Sequence, residues 1–408
     1  MSKYLVIQLA RLGDLLQAKR LIGSLLAEPG AKADVHLLVD HSLKEFAELI
    51  YPQVQVQGIT AHKKKDRLSS VHLLKEVQRV MGDLGKISFD RIINLNYSGL
   101  NYALAARFDS QKVFGYRWQN GQFLKGKWPE FAFRWSKRRR QSGLNLMDFW
   151  AAYAPYILEP EAVNPLPESK GGGVGLVLSG RHSRRSIPPE FLAAYAQAAL
   201  QGVGHGPLFL LGTEAEKPLA REFRKSLKPQ VRDVLQDMVG KTSLSDLMEI
   251  VSGLDLLLSP DTGTMHLAAH LGTPVQAFFL SSAWCFETGV YGQGHRIWQA
   301  VCPCVPCLEG RKCAEEMSCL QPFGHKAILQ FLAQGRAKQL PEDLLLLESD
   351  FDQIGVVYRP RQGIEPCQEE RKRFRAMLAP YFNQELSQAG FEKKIDDFYL
   401  ERDWMLEG

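Results

Sequence analysis

Leu254-Asp255-Leu256-Leu257-Leu258-Ser259-Pro260-Asp261-Thr262-Gly263-Thr264-Met265-His266 runs from an apolar block through a glycine turn into a helix-like stretch that stops at Gly272-Thr273-Pro274. A strand, a tight turn and a helix start bring free backbone N–H groups and the positive end of a helix dipole to one point, which suits a phosphate. Thr262 and Thr264 add hydroxyl donors, and His266, one turn in, lies on the side that reaches a diphosphate or its ribose. The same letters also describe an ordinary strand-to-helix turn, capped by Asp261 or Thr262 with His266 packed inside. The segment alone leaves both readings open.

On either side of it, strand-like and helix-like segments alternate. Tyr4–Leu9, Val35–Val39, Val54–Ile59, Arg91–Leu95 and Val113–Tyr116 read as short buried strands, with amphipathic stretches such as Leu15–Leu26 and Leu68–Leu84 between them. Leu158 to Gly173 is rich in Pro and Gly and reads as a linker. The alternation then restarts with Val174–Leu178, a helix near Pro189–Leu200, Pro207–Leu211, helices near Ala215–Ser226 and Leu244–Val251, Leu254–Leu258, Gly263–Leu271 and Val275–Phe279. This is the βαβ signature of parallel sheets, so two doubly wound α/β domains joined by a hinge are expected, over 1–165 and 166–340. An extension, 341–408, follows, with Leu344-Leu345-Leu346-Leu347, Tyr358-Arg359-Pro360-Arg361 and helical stretches around Glu369–Leu378 and Phe391–Leu400. It either packs back on the first domain or mediates assembly.

A length of 408 residues accommodates two domains and an appendage. Hydrophobic content of 45% and charge of 23% are those of a globular protein, and no apolar run approaches the roughly 18 residues of a membrane span. Met1-Ser2-Lys3-Tyr4-Leu5-Val6-Ile7 enters a strand directly, without the pattern of a secretory leader, so a cytoplasmic location is expected. Internal repeats and low complexity are absent. The net charge of +5 is uneven, with basic runs at Lys63-Lys64-Lys65-Asp66-Arg67 and Lys137-Arg138-Arg139-Arg140 and with Arg117 and Arg134 near the second. Such runs are solvated loops or meet a phosphorylated acceptor or anionic lipid head groups. The stacking repeat of a nucleic-acid module is missing, so no nucleic-acid partner is expected.

Open α/β sheets bind ligands at the carboxyl ends of their strands. Asp14, in Arg11-Leu12-Gly13-Asp14 after the first strand, is therefore either a helix cap or a carboxylate placed as a general base.

The pieces resemble the family of ADP-heptose:lipopolysaccharide heptosyltransferases, glycosyltransferase family 9. The resemblance covers roughly residues 3–325. It runs through Arg11-Leu12-Gly13-Asp14, Phe89-Asp90-Arg91-Ile92-Ile93-Asn94-Leu95, Phe114-Gly115-Tyr116, Arg185-Ser186-Ile187-Pro188-Pro189-Glu190-Phe191 and Val239-Gly240-Lys241-Thr242-Ser243-Leu244 to the Asp261-Thr262-Gly263 and His266 block. It implies the GT-B fold, two Rossmann-like domains facing across a cleft, the first binding acceptor and the second the nucleotide sugar. The implied activity is inverting, metal-independent transfer of heptose or a related sugar from ADP-heptose to a lipopolysaccharide-core or similar surface glycan. Asp14 then becomes the base for the acceptor hydroxyl. Arg185, Lys241, Asp261, Thr262, Gly263, Thr264 and His266 become donor contacts, with Glu214 or Glu216 accepting from the ribose. Arg11, Lys63, Lys64, Arg67 and Arg117 are the candidates for an anionic glycolipid or glycan acceptor, which brings a peripheral contact with the inner face of the membrane.

No catalytic cofactor is required by this reading. The metal motif of other transferases, Asp-x-Asp, occurs as Asp350-Phe351-Asp352, in an acidic stretch that reads as solvated surface. Five of seven cysteines crowd into Cys302, Cys304, Cys307, Cys313 and Cys319. Cys304, Cys307, Cys313 and Cys319 resemble a cysteine set of some family members, a structural zinc or iron knuckle near the donor site, with free thiols or a disulfide as the alternative. Leu280-Ser281-Ser282-Ala283-Trp284 replaces the family's Gly-Pro turn, which bears on the sugar. Two other readings remain: transfer of a different sugar or to a protein acceptor, and a non-catalytic nucleotide-sugar binder.

Overall fold

Tyr4-Leu5-Val6-Ile7 is apolar at every position rather than at alternate ones, the pattern of a strand covered on both faces, and it forms the centre of a parallel sheet. The structure is a computed structural model that describes residues 1–30, 32–62, 70–180, 183–204 and 206–382. The chain divides into two compact units.

The first unit comprises Met1–Ser142, Met147–Leu158 and the chain from Glu369 onward. Its strands are β1 (Ser2–Gln8), β2 (Ala33–Asp40), β3 (Gln55–Ile59), β4 (Arg91–Asn94), β5 (Val113–Gln119) and β6 (Gln122–Lys125). They lie in the order β3-β2-β1-β4-β5-β6, parallel except for β6, which turns back against β5 as a hairpin. Leu5, Ile7, Leu38, Ile59, Met81, Leu84, Ile92 and Val113 join one buried cluster between sheet and helices. Gly115 in β5 has φ +85°, and a Cβ there would stand 2.2 Å from the Asn94 carbonyl oxygen, so strand contact at this point demands glycine.

The helix Lys19–Leu26 is fixed by a buried ion pair, Arg20 to Asp148 at 2.5 Å with side chains 2% and 0% exposed. Arg20 also donates to the Leu158 carbonyl, so its charge is both neutralised and hydrogen-bonded. The helix Gln368–Phe382 brings Phe374 against Phe131 and Trp135, and Phe382 against Trp128. Arg371 donates to the Arg140 carbonyl. The stretch Phe391–Leu400 lies outside the described residues.

The second unit comprises Gly143–Leu146 and Glu159–Gln368. Its strands are β7 (Val174–Val177), β8 (Leu208–Leu211), β9 (Leu235–Asp237), β10 (Leu256–Pro260), β11 (Val275–Phe279), β12 (Arg296–Ala300), β13 (Leu344–Asp352) and β14 (Gly355–Gln362). The order is β14-β13-β12-β11-β10-β7-β8-β9. From β12 to β9 the strands are parallel, and β13 and β14 close one edge as an antiparallel hairpin. Leu344–Leu347 is therefore strand, paired with Ala300–Ile297. Asp350 and Asp352 belong to this hairpin: Asp350 pairs with Arg359 at 2.6 Å, and Asp352 accepts the Ile354 and Gly355 N–H groups of the turn.

Each sheet reverses its strand order once, between β1 and β4 in the first unit and between β7 and β10 in the second. Ligands of doubly wound sheets gather outside the carboxyl ends of the strands at such switch points.

Candidate functional site

In the second unit the switch point holds the Asp261 segment. β10 ends at Pro260, Thr262 adopts an extended N-cap conformation, and the helix Gly263–Leu271 begins there. Thr262 Oγ1 accepts from the Met265 N–H at 3.4 Å and lies 2.9 Å from Ser259 Oγ. Thr262 is thus the cap of the two candidates. The helix ends at Gly272, left-handed at φ +73°. Capping one donor still leaves the remaining first-turn N–H groups without intrahelical partners, so the cap and the anion site coexist.

Asp261 is 7% exposed and bonds two side chains: the Arg185 guanidinium donates to its carboxylate, and Thr288 Oγ1 donates to it at 3.2 Å. Arg185 stands in the loop after β7 and Asp261 in the loop after β10, so the pair spans the switch point. A second carboxylate, Glu309, lies 3.8 Å from Arg185, and Arg184 donates to the Glu309 carbonyl at 2.7 Å. His266 is buried, and desolvation lowers its pKa to about 4, so at neutral pH it is an uncharged hydrogen-bonding group.

Glu214 and Glu216 differ in employment. Glu216 closes a capping box on Thr213, accepting its N–H at 2.6 Å, and accepts from Ser179 Oγ. Glu214 is exposed, pairs with Lys217 at 2.7 Å and packs against Gly240, whose Cβ would stand 2.5 Å from its Oε2. Lys241 donates to the Asp237 carbonyl at 2.6 Å and lines a cavity of about 170 Å³ with Lys217, Arg221 and Arg224.

The cysteines share the loops on this side. Cys307 Sγ lies 3.3 Å from Ser281 Oγ, two residues before Glu309. Burial raises the Cys319 thiol to about 11 and Cys302 to about 12, and the charges of Cys304, Cys307 and Cys313 push Cys319 further in the same direction. All are free thiols, and among the described residues no three His, Cys, Asp or Glu side chains form a metal-ligand set.

In the first unit the switch point holds Asp14. It is half-buried in the first turn of the helix Leu12–Gln17, where Asp14 Oδ2 accepts the Arg11 N–H at 3.1 Å. This is the carboxylate of a capping box at the third helical position, not the N-cap residue itself, and it leaves Oδ1 available to other donors. Sequence reasoning missed what holds this loop. Gln8 Nε2 donates to the Asp14 carbonyl at 3.3 Å, Asn96 Nδ2 donates to Gln8 Oε1 at 2.5 Å, and Asn96 Oδ1 accepts the Leu9 N–H at 2.7 Å. Asn101 donates to both Asn94 and Asn96 at 3.2 Å, and Asn94 donates to the Tyr116 carbonyl at 2.8 Å. The legible signal was the amide pair Asn94 and Asn96 just where β4 ends.

Arg11 is exposed at the N-cap, and Arg117 sits half-buried in β5 with its Nε lacking a hydrogen-bond partner among the described residues. Lys63, Lys64 and Arg67 lie outside the described residues.

Residues 194–317 match the family model described as glycosyltransferase family 9 (heptosyltransferase). Over that stretch the chain is similar to glycosyltransferase family 9. Lipooligosaccharide heptosyltransferase 2 of Haemophilus influenzae is 27% identical over 86 residues, covering 21% of this chain and 25% of that protein. The alignment thus spans about a quarter of the length of the curated relative. Escherichia coli ADP-heptose lipopolysaccharide heptosyltransferase II superposes with TM-score 0.52 at 15% identity, over 72% of this chain and 89% of that one. E. coli heptosyltransferase WaaC with ADP gives 0.51 at 14%, over 71% and 91%. At these identities the likeness carries the fold: the family 9-like chain has the α/β two-domain GT-B fold.

Proposed function

We propose that the protein is an inverting, metal-independent glycosyltransferase that moves heptose or a related sugar from ADP-heptose to a lipopolysaccharide-core or similar surface-glycan acceptor. The observation that carries the reading is the switch point of the second unit, where Arg185 is held by Asp261 beside the N-terminus of the Gly263–Leu271 helix. A cation and a ring of backbone donors at one point suit a diphosphate.

In the reaction, the acceptor hydroxyl oxygen bonds to the anomeric carbon and gives its proton to the Asp14 carboxylate. The bond from that carbon to the diphosphate oxygen breaks, and its electron pair leaves with the nucleoside diphosphate. Attack opposite the leaving group inverts the configuration. Thr262, Gly263, Thr264 and Arg185 stabilise the charge that grows on the diphosphate, an electrostatic task that preorganised dipoles perform without reorganisation. Neutral His266 and exposed Glu214 serve the ribose and nucleoside; Glu216 is engaged by Thr213 and Ser179. Lys241 is assigned to the nucleotide by the family resemblance alone, and Arg11, Lys63, Lys64, Arg67 and Arg117 address the anionic acceptor.

Among the described residues no helix is long and apolar enough to cross a membrane. A cytoplasmic protein in peripheral contact with the inner face of the membrane fits this reading. The direct test is a thermal-shift screen against ADP-, UDP- and GDP-sugars, because a ligand stabilises the folded state in proportion to its occupancy. A shift with ADP-heptose beyond the others supports the donor assignment; a flat response to all three classes overturns it.

A further inference from the structure

Two carboxylates address the Arg185 guanidinium, and they are held in different ways. Asp261, 7% exposed, takes the Nη2 side and also accepts from Thr288 Oγ1 at 3.2 Å, so it is fixed by two partners. Glu309 stands 3.8 Å from Nη1 with 38% of its side chain exposed, beyond the reach of a normal hydrogen bond. One contact is tight and sheltered, and the other is loose and wet.

The turn that carries Glu309 is secured through its backbone. Arg184 donates to the Glu309 carbonyl at 2.7 Å and to the Leu308 carbonyl at 3.5 Å, and the Arg311 N–H returns to the Leu308 carbonyl at 3.2 Å. Just before the turn, the Cys307 N–H donates to the Ser281 carbonyl at 3.1 Å, which ties the stretch to the loop after β11. None of these bonds uses the Glu309 carboxylate, so it can swing into water while the turn stays in place. Asp261 has no such choice, because leaving Arg185 would strand a nearly buried charge.

A guanidinium binds phosphate oxygens through the N–H groups of its fork. In Arg185, Nη2 is committed to Asp261 and Nη1 faces Glu309, so a diphosphate that approaches Nη1 meets a carboxylate of its own sign there. We propose that Glu309 is an internal competitor of the donor diphosphate. A phosphate oxygen takes the place of the Glu309 carboxylate beside Nη1, the glutamate side chain turns out to solvent, and Arg185 itself stays where Asp261 holds it. Glu309 thereby tunes donor affinity and acts as a charge filter, because a ligand without negative charge at this position does not displace it. This assignment rests on the donor reading, to which it adds a residue that sets affinity.

Calorimetry on the full chain tests it, with ADP, inorganic pyrophosphate and adenosine as probes and with native protein, Glu309→Gln and Glu309→Asp. Glu309→Gln is expected to bind ADP and pyrophosphate about fivefold more tightly than the native protein, the upper end of what a partly exposed ion pair is worth. Adenosine, which brings no charge, is expected to bind both alike. Glu309→Asp keeps the charge on a shorter stem and is expected to fall between the two. Equal affinities for ADP and pyrophosphate in native protein and Glu309→Gln overturn the competitor role and leave the donor reading standing. Weaker binding by Glu309→Gln overturns it as well, because it makes Glu309 a support of Arg185, and so does a gain shared by adenosine. Pyrophosphate bound more tightly by Glu309→Gln while ADP binds neither protein contradicts the donor reading and leaves the competitor standing. Failure of all three proteins to bind ADP or pyrophosphate overturns both.

Discussion

The Arg185 guanidinium is bound to the Asp261 carboxylate, with the two side chains 14% and 7% exposed. Arg185 is therefore held by an acid on the neighbouring strand end. A charge held this way needs no reorganisation when an anion arrives, and the acid in turn depends on it for neutralisation.

Arg185→Ala removes the partner of a nearly buried carboxylate. Because 14% of the arginine remains in contact with water, a stability loss of about 2–3 kcal/mol is expected, below that of a fully buried pair. ADP binding is expected to weaken at least tenfold by calorimetry. Asp261→Asn combined with Arg185→Ala should recover part of the stability and none of the affinity. A double variant that binds ADP like the native protein removes Arg185 from the donor site.

Acid should destabilise the fold through two buried histidines. Desolvation lowers His266 to about 4 and His295 to about 3, against 6.5 for an exposed imidazole. Between those values the unfolded chain takes up protons that the folded chain refuses, so stability is full above pH 6.5 and falls as pH drops, by about 1.4 kcal/mol per pH unit for each group. His295 has no hydrogen-bond partner on either ring nitrogen among the described residues, so His295→Leu should flatten the dependence by one proton. Urea unfolding from pH 7.5 down to pH 4.5 measures the slope, and an unchanged slope in the variant contradicts the assignment.

Gly115→Ala should cost about 2 kcal/mol or more, because the residue sits at φ +85° and the new Cβ meets the Asn94 carbonyl oxygen. A melting temperature within a degree of the native value would mean that β4 and β5 separate freely at this point.

Glu309, two residues after Cys307, stands 3.8 Å from Arg185, so the state of the cysteine loop bears on that arginine. Cys304, Cys307, Cys313 and Cys319 stand as free thiols outside any ligand set among the described residues, and elemental analysis of protein purified without chelators decides between these thiols and a bound zinc or iron. Elemental analysis that finds neither, together with four thiols reactive toward a disulfide reagent, identifies the cluster as free cysteines.

The parallel architecture was legible because buried strands are apolar throughout and helices between them are amphipathic. Val174, Leu254–Leu258 and Val275–Phe279 announce themselves in this way. β6, β9 and β12 did not, being short or carrying polar letters such as Arg296 and Gln299. The Asp261 turn was legible as a strand, a glycine and a helix start. That Asp261 would hold Arg185, and that Gln8 and Asn96 would brace the Asp14 loop, was not, because these contacts join residues 76 and 88 positions apart. Local pattern carries no record of such pairings.

The central claim is that Asp14 removes the acceptor proton while the second unit alone holds the donor. It is measured most directly by transfer from ADP-heptose to a lipopolysaccharide-core acceptor in the native protein and in Asp14→Asn, with ADP affinity determined on both. The expected result is unchanged affinity and a turnover at least about a hundredfold lower, the scale of general-base catalysis. Native turnover in Asp14→Asn contradicts the account.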